Sequence, residues 1–207
     1  MLKLVYLWNR ILGEVDNDII DYLQYNNRSE LKLEGIKLED VILNRVYLDN
    51  AYMNGAELNR VKLQEAYLNG AKLIGANLQE ANLNGAKLEK ADLSKATLIK
   101  AKLNKAHLNN ADLIGAKLIK SELRAAELNG AKLNYAQLNG ANLIGAQIKD
   151  IELDGAYLRD TIFDEKQVGV LKKKYNLNNS KVYIYITNEI ISYMDYCKYL
   201  NTIKERR

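Results

Sequence analysis

The stretch "ANLNGAKLEKADLSKATLIKAKLNKAHLNNADLIGAKL", Ala81–Leu118, brings back an alanine and, two places on, a leucine every five residues without a miss. An amphipathic α-helix repeats its apolar residues at three and four, and a half-buried strand alternates strictly. Neither holds a beat of five. Residues two apart on an extended chain point to the same side, so Ala and Leu face inward and the residue between them faces out. The next two positions are rich in Asn-Gly and Ile-Gly, where glycine permits a positive φ and a sharp corner. Each unit is therefore expected to be a very short strand followed by a corner. Corners of one hand wind the chain into a solenoid whose coils stack about 4.8 Å apart.

The same beat extends from Leu33 to Phe163, twenty-seven centres with no insertion. The inward position two places before each centre is mostly Ala, with Ile36, Val41, Val46 and Val61 early and Ser121 and Thr161 later. The outward charges indicate how many sides one coil has, because like charges stacked on neighbouring coils are unfavourable. Counting the residue before each centre and the residue two after it, nine opposite and two like pairs lie 20 apart. At a separation of 15 there are two opposite and nine like, and at 25 seven and four. Four sides are favoured. Lys37–Glu57, Lys72–Asp92, Lys102–Glu122, Asp40–Arg60 and Arg60–Glu80 are among the matched pairs, and Asp92–Asp112 and Lys100–Lys120 are the mismatched ones.

"AKLIGANLQEANLNGAKLEKADLSKATL", residues 71–98, resembles the pentapeptide-repeat proteins, whose consensus is A(D/N)LXX. The resemblance covers residues 31–163. It implies an all-β solenoid, a right-handed quadrilateral parallel β-helix with four five-residue sides per coil and about seven coils.

A bare solenoid end exposes an apolar layer and open backbone edges, so both ends need covering. Residues 1–30 break the register and read as an N-terminal cap, with "DNDIIDYLQYN" (Asp16–Asn26) as a short helix. Residues 164–207 form an α/β C-terminal segment. In it "EKQVGVLKKKYNLNN" reads as a helix or turn weakened by Gly169, and "KVYIYI" as a strand. "TNEIISYMDYCKYLNTIKERR" reads as a helix opened by Thr187 or Asn188. Ile190, Ile191, Met194, Cys197 and Leu200 give that last helix an apolar side. With Ile184 they form a candidate self-interface, since aromatic amphipathic surface suits interfaces and six of the 14 tyrosines lie between Tyr175 and Tyr199. Related proteins often dimerise through such a segment, so a homodimer is expected.

Composition narrows the function. Hydrophobic content of 48% and charged content of 27% are those of a soluble globular chain. Cys197 is the only cysteine, which excludes an internal disulfide or a cysteine zinc site. The opening "MLKLVYLWNRILGEV" is too short and broken for a signal peptide, and no apolar run reaches membrane-spanning length. A cytoplasmic location is expected. Net charge is +4, with 18 basic against 16 acidic groups in residues 31–163 and 9 against 5 in residues 164–207.

No glycine-rich phosphate loop, Ser/His/Asp arrangement or metal-ligand spacing occurs. His107, the only histidine, falls one coil below Glu127 in this register. A general base needs such an orienting carboxylate, but one histidine on a flat face reads better as surface. Asp92 and Asp112 stack as paired carboxylates, which could hold a cation, yet Lys72 and Lys132 flank them in a mixed-sign ladder. No catalytic residue, metal or cofactor is expected.

Lysines gather at Lys90, Lys95, Lys100, Lys105, Lys117 and Lys120, the candidate polyanion contacts. The first four should ring a single coil, whereas a nucleic-acid site gathers charge on one face. With no interleaved aromatics for base stacking, nucleic acid is not the expected ligand. The expected function is that of a non-enzymatic protein-binding or scaffold protein with a rigid surface. The family resemblance implies an alternative, inhibition or protection of DNA gyrase by mimicry of duplex DNA. Mimicry needs an acidic surface, and this chain is near neutral to basic.

Overall fold

The computed structural model of the protein describes residues 31–174, 184–186 and 189–191. Parallel bridges run from Lys32↔Tyr52 to Asn142↔Ile162, every one between residues 20 apart. Four five-residue sides thus complete one coil, as the charge pairing requires.

The backbone accounts for this geometry donor by donor. Leu33 N donates up to Tyr52 O (2.7 Å), Tyr52 N donates down to Leu31 O (2.7 Å), and Gly35 N donates up to Asn54 O (2.9 Å). A fourth donor closes the corner, as Ile36 N does on Leu33 O at 3.2 Å. The third residue of this turn must take a positive φ, as in a type II turn. Every fifth residue from Gly35 to Asp160 does so, with φ between 55° and 74° whatever its side chain. Sixteen of these corners are not glycine, and each bears a left-handed penalty on the order of 1 kcal/mol. The inward leucines offset it. Leu48, Leu58, Leu88 and Leu98 are fully buried, and burying one such side chain contributes roughly 1.5–3 kcal/mol.

The fifth donor, on the residue after each centre, has no place in the ladder, and buried or half-buried N–H groups need partners. Polar side chains supply them in two ways. Asn84 Oδ1 accepts from Asn104 N one coil above (2.9 Å), and Asn104 Oδ1 in turn from Arg124 N (2.9 Å). Elsewhere the residue before the centre reaches forward, as Asn142 Oδ1 does to Ile144 N at 3.1 Å. The D/N of the repeat and the asparagine after its leucine therefore do the same task. Ser121 and Thr161, which replace alanine in the core, bond their hydroxyls to Leu118 O and Leu138 O, both at 2.8 Å.

After Phe163 the chain turns into helix α1 (Glu165–Lys174). Val168 and Leu171 are buried in the same core as the repeat leucines. Gln167, also buried, donates from Nε2 to Leu143 O and Ala146 O, each at 2.7 Å. Lys174 Nζ donates to Ile151 O at 2.6 Å. The carbonyls of Ala146 and Ile151, which stand where a further coil would donate, meet the helix instead.

Strands β1 (Ile184–Ile186) and β2 (Glu189–Ile191) pair antiparallel, Tyr185 opposite Ile190. This corrects the expected helix from Thr187 or Asn188, because Glu189–Ile191 is extended. The β-branched Ile190 and Ile191 favour a strand, and the two-residue Thr187-Asn188 interval is a hairpin spacing. The expected N-terminal cap, its helix, and Met194, Cys197 and Leu200 lie outside the described residues. No helix among the described residues is long and apolar enough to cross a membrane.

Candidate interaction surface

Three positions per unit face outward, the residue before each leucine, the residue after it and the corner residue. Each stacks on its equivalents 20 residues away, so every face carries vertical columns of side chains. The columns are chemically active where neighbours complement one another. Arg60 grips Asp40 with two hydrogen bonds, Nε to Oδ1 at 2.7 Å and Nη2 to Oδ2 at 2.6 Å. The hydrogen bond from Arg60 holds Asp40 below the usual carboxylate pKa, and Arg60 is raised by the same contact. Arg45–Glu65 (2.9 Å), Lys100–Glu80 (3.6 Å) and Lys72–Asp92 (4.0 Å) are further pairs one coil apart.

One column combines several chemistries. Tyr47 stacks on Tyr67, ring centroids 4.6 Å apart, and Lys87 Nζ lies 4.2 Å from the centroid of Tyr67. Continuing upward, His107 Nδ1 approaches Glu127 Oε2 at 3.2 Å, so the expected pair forms. Glu127 Oε2 also accepts from Asn109 Nδ2 at 2.8 Å. The arrangement orients an imidazole on an open flat face. Among the described residues it has no neighbouring hydroxyl or thiol that such a base could activate.

Asp92 and Asp112 are spoken for by the backbone. Asp92 Oδ1 accepts from Ser94 N (3.2 Å) and Ser94 Oγ (2.7 Å), and Asp112 Oδ1 from Ile114 N (2.9 Å). Their place in the repeat is thus explained by the orphan N–H after each leucine. No cluster of three metal-ligating side chains occurs among the described residues.

Lys90, Lys95, Lys100 and Lys105 stand at four successive left-handed corners, all exposed, and surround one coil. Lys117 and Lys120 lie one coil above, on the side that contains Lys100. The six are therefore not brought onto one face. Of the self-interface candidates, Ile184 lies in β1 and Ile190 and Ile191 in β2. The sequence reading missed the Tyr47–Tyr67–Lys87 column, although its spacing of 20 was the available signal. It also missed Arg124, whose significance appears only when residues are sorted by face.

The Pentapeptide repeats profile matches residues 32–70, 62–98, 91–130 and 121–160, together most of the chain. The chain belongs to the pentapeptide-repeat family. Proteins of this family fold as right-handed quadrilateral β-helices. Among solved structures, the chain is similar to QnrB1, described as a plasmid-mediated fluoroquinolone resistance protein, at 18% identity and a TM-score of 0.43. That match covers 71% of this chain and 85% of QnrB1. It is similar to Rfr23 from the cyanobacterium Cyanothece 51142 at 28% identity and a TM-score of 0.34, covering 65% and 88%. HetL from Nostoc sp. strain PCC 7120, described as involved in heterocyst differentiation regulation, matches at 24% identity and a TM-score of 0.26, covering 73% and 98%. No curated protein matches the chain.

Proposed function

We propose that this pentapeptide-repeat protein is a non-enzymatic scaffold that presents rigid β-helix faces to a protein partner. The observation that carries the reading is the unbroken ladder from Lys32↔Tyr52 to Asn142↔Ile162. A backbone tied at every coil holds its outward columns in place before any partner arrives, and surfaces ordered in advance bind with little ordering cost. The rod has about seven coils, residues 1–30 cover its first coil, and residues 164–207 cover its last and join two copies into a dimer. The buried Val168, Leu171 and Gln167 support the covering role of the C-terminal segment. A cytoplasmic setting goes with the lone cysteine.

Mimicry of duplex DNA toward gyrase is the weaker reading. It asks for a continuous acidic surface, and the mid-height coil carries lysine at all four corners.

The test is affinity capture from a bacterial lysate with and without nuclease, repeated with excess untagged protein as competitor. A discrete protein that survives nuclease and is displaced by competitor is the expected result. Retention of nuclease-sensitive material alone, or of nothing, overturns the scaffold reading. Inhibition of gyrase supercoiling by the purified protein would move the mimicry reading ahead.

A further inference from the structure

Sorting the outward residues by side rather than by height shows that positive charge concentrates on one of the four faces. Between the corner column of Lys100 and Lys120 and the corner of Lys105 lie Lys62, Lys102 and Arg124, all exposed. Lys100 has Glu80 at 3.6 Å. Among the described residues the other five have no ion-pair partner. Lys120 and Arg124 stand one coil above Lys100, Lys102 and Lys105. Neighbouring coils are about 4.8 Å apart, inside the screening length of about 8 Å at physiological salt, so these five cations act as one field, with Lys62 two coils below Lys102. On the opposite face Asp92 and Asp112 interrupt Lys72 and Lys132, and no such excess builds up.

Two features specify what fits. Glu122 stands within the field, one coil above Lys102 in the same column, and its Oε2 accepts from Asn104 Nδ2 at 2.8 Å. A row of phosphates would be repelled there, whereas a protein surface of mixed sign can set a cation against it. Ile99 and Ile119 border the same face, half-buried beside Lys100 and Lys120, and supply apolar contact that a phosphate backbone does not use. We propose that the face bounded by the Lys100 and Lys105 corners docks an acidic protein surface, with Lys102, Lys105, Lys120 and Arg124 receiving its carboxylates. This deepens the scaffold reading by naming a face and the chemistry of the partner. It also reassigns the lysine belt, since Lys90 and Lys95 take no part.

The experiment uses the full chain, a fluorescein-labelled glutamate-rich peptide and a duplex DNA of equal charge, by anisotropy at physiological ionic strength. The variant Lys102→Gln/Lys105→Gln/Arg124→Gln removes the field without stacking a new carboxylate under Glu122. The control Lys90→Gln/Lys95→Gln/Lys132→Gln makes the same change of net charge elsewhere. The expected result is peptide binding stronger than duplex binding, weakened about tenfold by the face variant and little changed by the control. Equal losses in the two variants would reduce the effect to net charge and overturn the proposal. So would tighter binding of the duplex, which would assign the face to nucleic acid, or no peptide binding at all. A partner captured from lysate equally well by the face variant would keep the scaffold reading while rejecting this face.

Discussion

Asp164 and Gln167 satisfy each other's backbone: Asp164 N donates to Gln167 Oε1 at 2.8 Å, and Gln167 N donates to Asp164 Oδ1 at 2.9 Å. This is a capping box at the start of α1. It leaves Gln167 Nε2 aimed at the carbonyls of Leu143 and Ala146, while Asp164 Oδ2 accepts from Gly145 N at 2.8 Å. One pair of side chains both starts the helix and fastens it to the column. Gln167→Ala removes the reciprocal cap and leaves the Ala146 carbonyl without its donor, while Leu143 O keeps Ala146 N at 2.9 Å. The expected loss is about 2–4 kcal/mol, read as a lower urea midpoint. Gln167→Glu should fare no better, because an ionised carboxylate would face those same two oxygens; equal stability of Gln167→Ala and the parent would contradict the assignment.

Two glycines separate backbone strain from crowding. Gly75 and Gly155 share a left-handed conformation, φ 65° and 69°. A Cβ at Gly75 would meet nothing within 4 Å, but at Gly155 it would lie 2.5 Å from Tyr135 Cδ1. Gly75→Ala should therefore lose only the left-handed penalty, on the order of 1 kcal/mol. Gly155→Ala should lose more, because the exposed Tyr135 ring must also swing away. Thermal melts of the two variants, with Gly155→Ala/Tyr135→Ala as the third arm, test this. The third arm should recover the difference between them.

The Asp40–Arg60 pair makes a signed prediction for acid. A carboxylate whose folded pKa lies below its unfolded value of 3.8 adds stability that is fully present above 3.8. That contribution disappears as pH falls through the lower, folded pKa. Asp40→Asn should consequently melt slightly earlier than the parent at neutral pH, and the gap should close in strong acid. The gap is expected to be small, since half or more of both side chains is exposed and water screens the pair. A gap that widened below the ordinary carboxylate range would refute the linkage.

Much of this is legible in the sequence, because the β-helix repeats one local rule. Leu33 and Leu38 already state the beat, and Asp40 with Arg60 already states the coil length. Residues whose task depends on a neighbour 20 positions away were harder to read. Asp92 and Asp112 read in the sequence as members of a mixed-sign ladder with Lys72 and Lys132, and only the fold shows that each accepts from the orphan N–H two residues on, at Ser94 and Ile114. Lys102 and Arg124 share a face only once the chain has turned its corners, so their spacing in the sequence does not bring them together. Beyond Phe163 the beat no longer helps. There Ile190 and Ile191 fit the spacing of a helix and the propensity of a strand equally, and pairing with Ile184 and Tyr185 decided for the strand.

Ser121 offers a substitution expected to stabilise. It occupies an inward position that is alanine in most repeat units, and it is buried there. Its hydroxyl bonds to Leu118 O, yet that carbonyl already accepts from Ser121 N at 3.1 Å. Removing the hydroxyl therefore orphans no acceptor. It also spares the desolvation of a polar group, and the alanine methyl occupies the space that Ala101 and Ala141 occupy on neighbouring coils of the same face. Ser121→Ala should be neutral or more stable by up to about 1 kcal/mol. Thr161→Ala is the contrasting case, because it deletes a methyl as well as a hydroxyl at a fully buried position. It should leave a small void and lower stability. Chemical denaturation of both variants reads the contrast. A destabilised Ser121→Ala would mean that the hydroxyl contributes more to the corner than the backbone donor it duplicates.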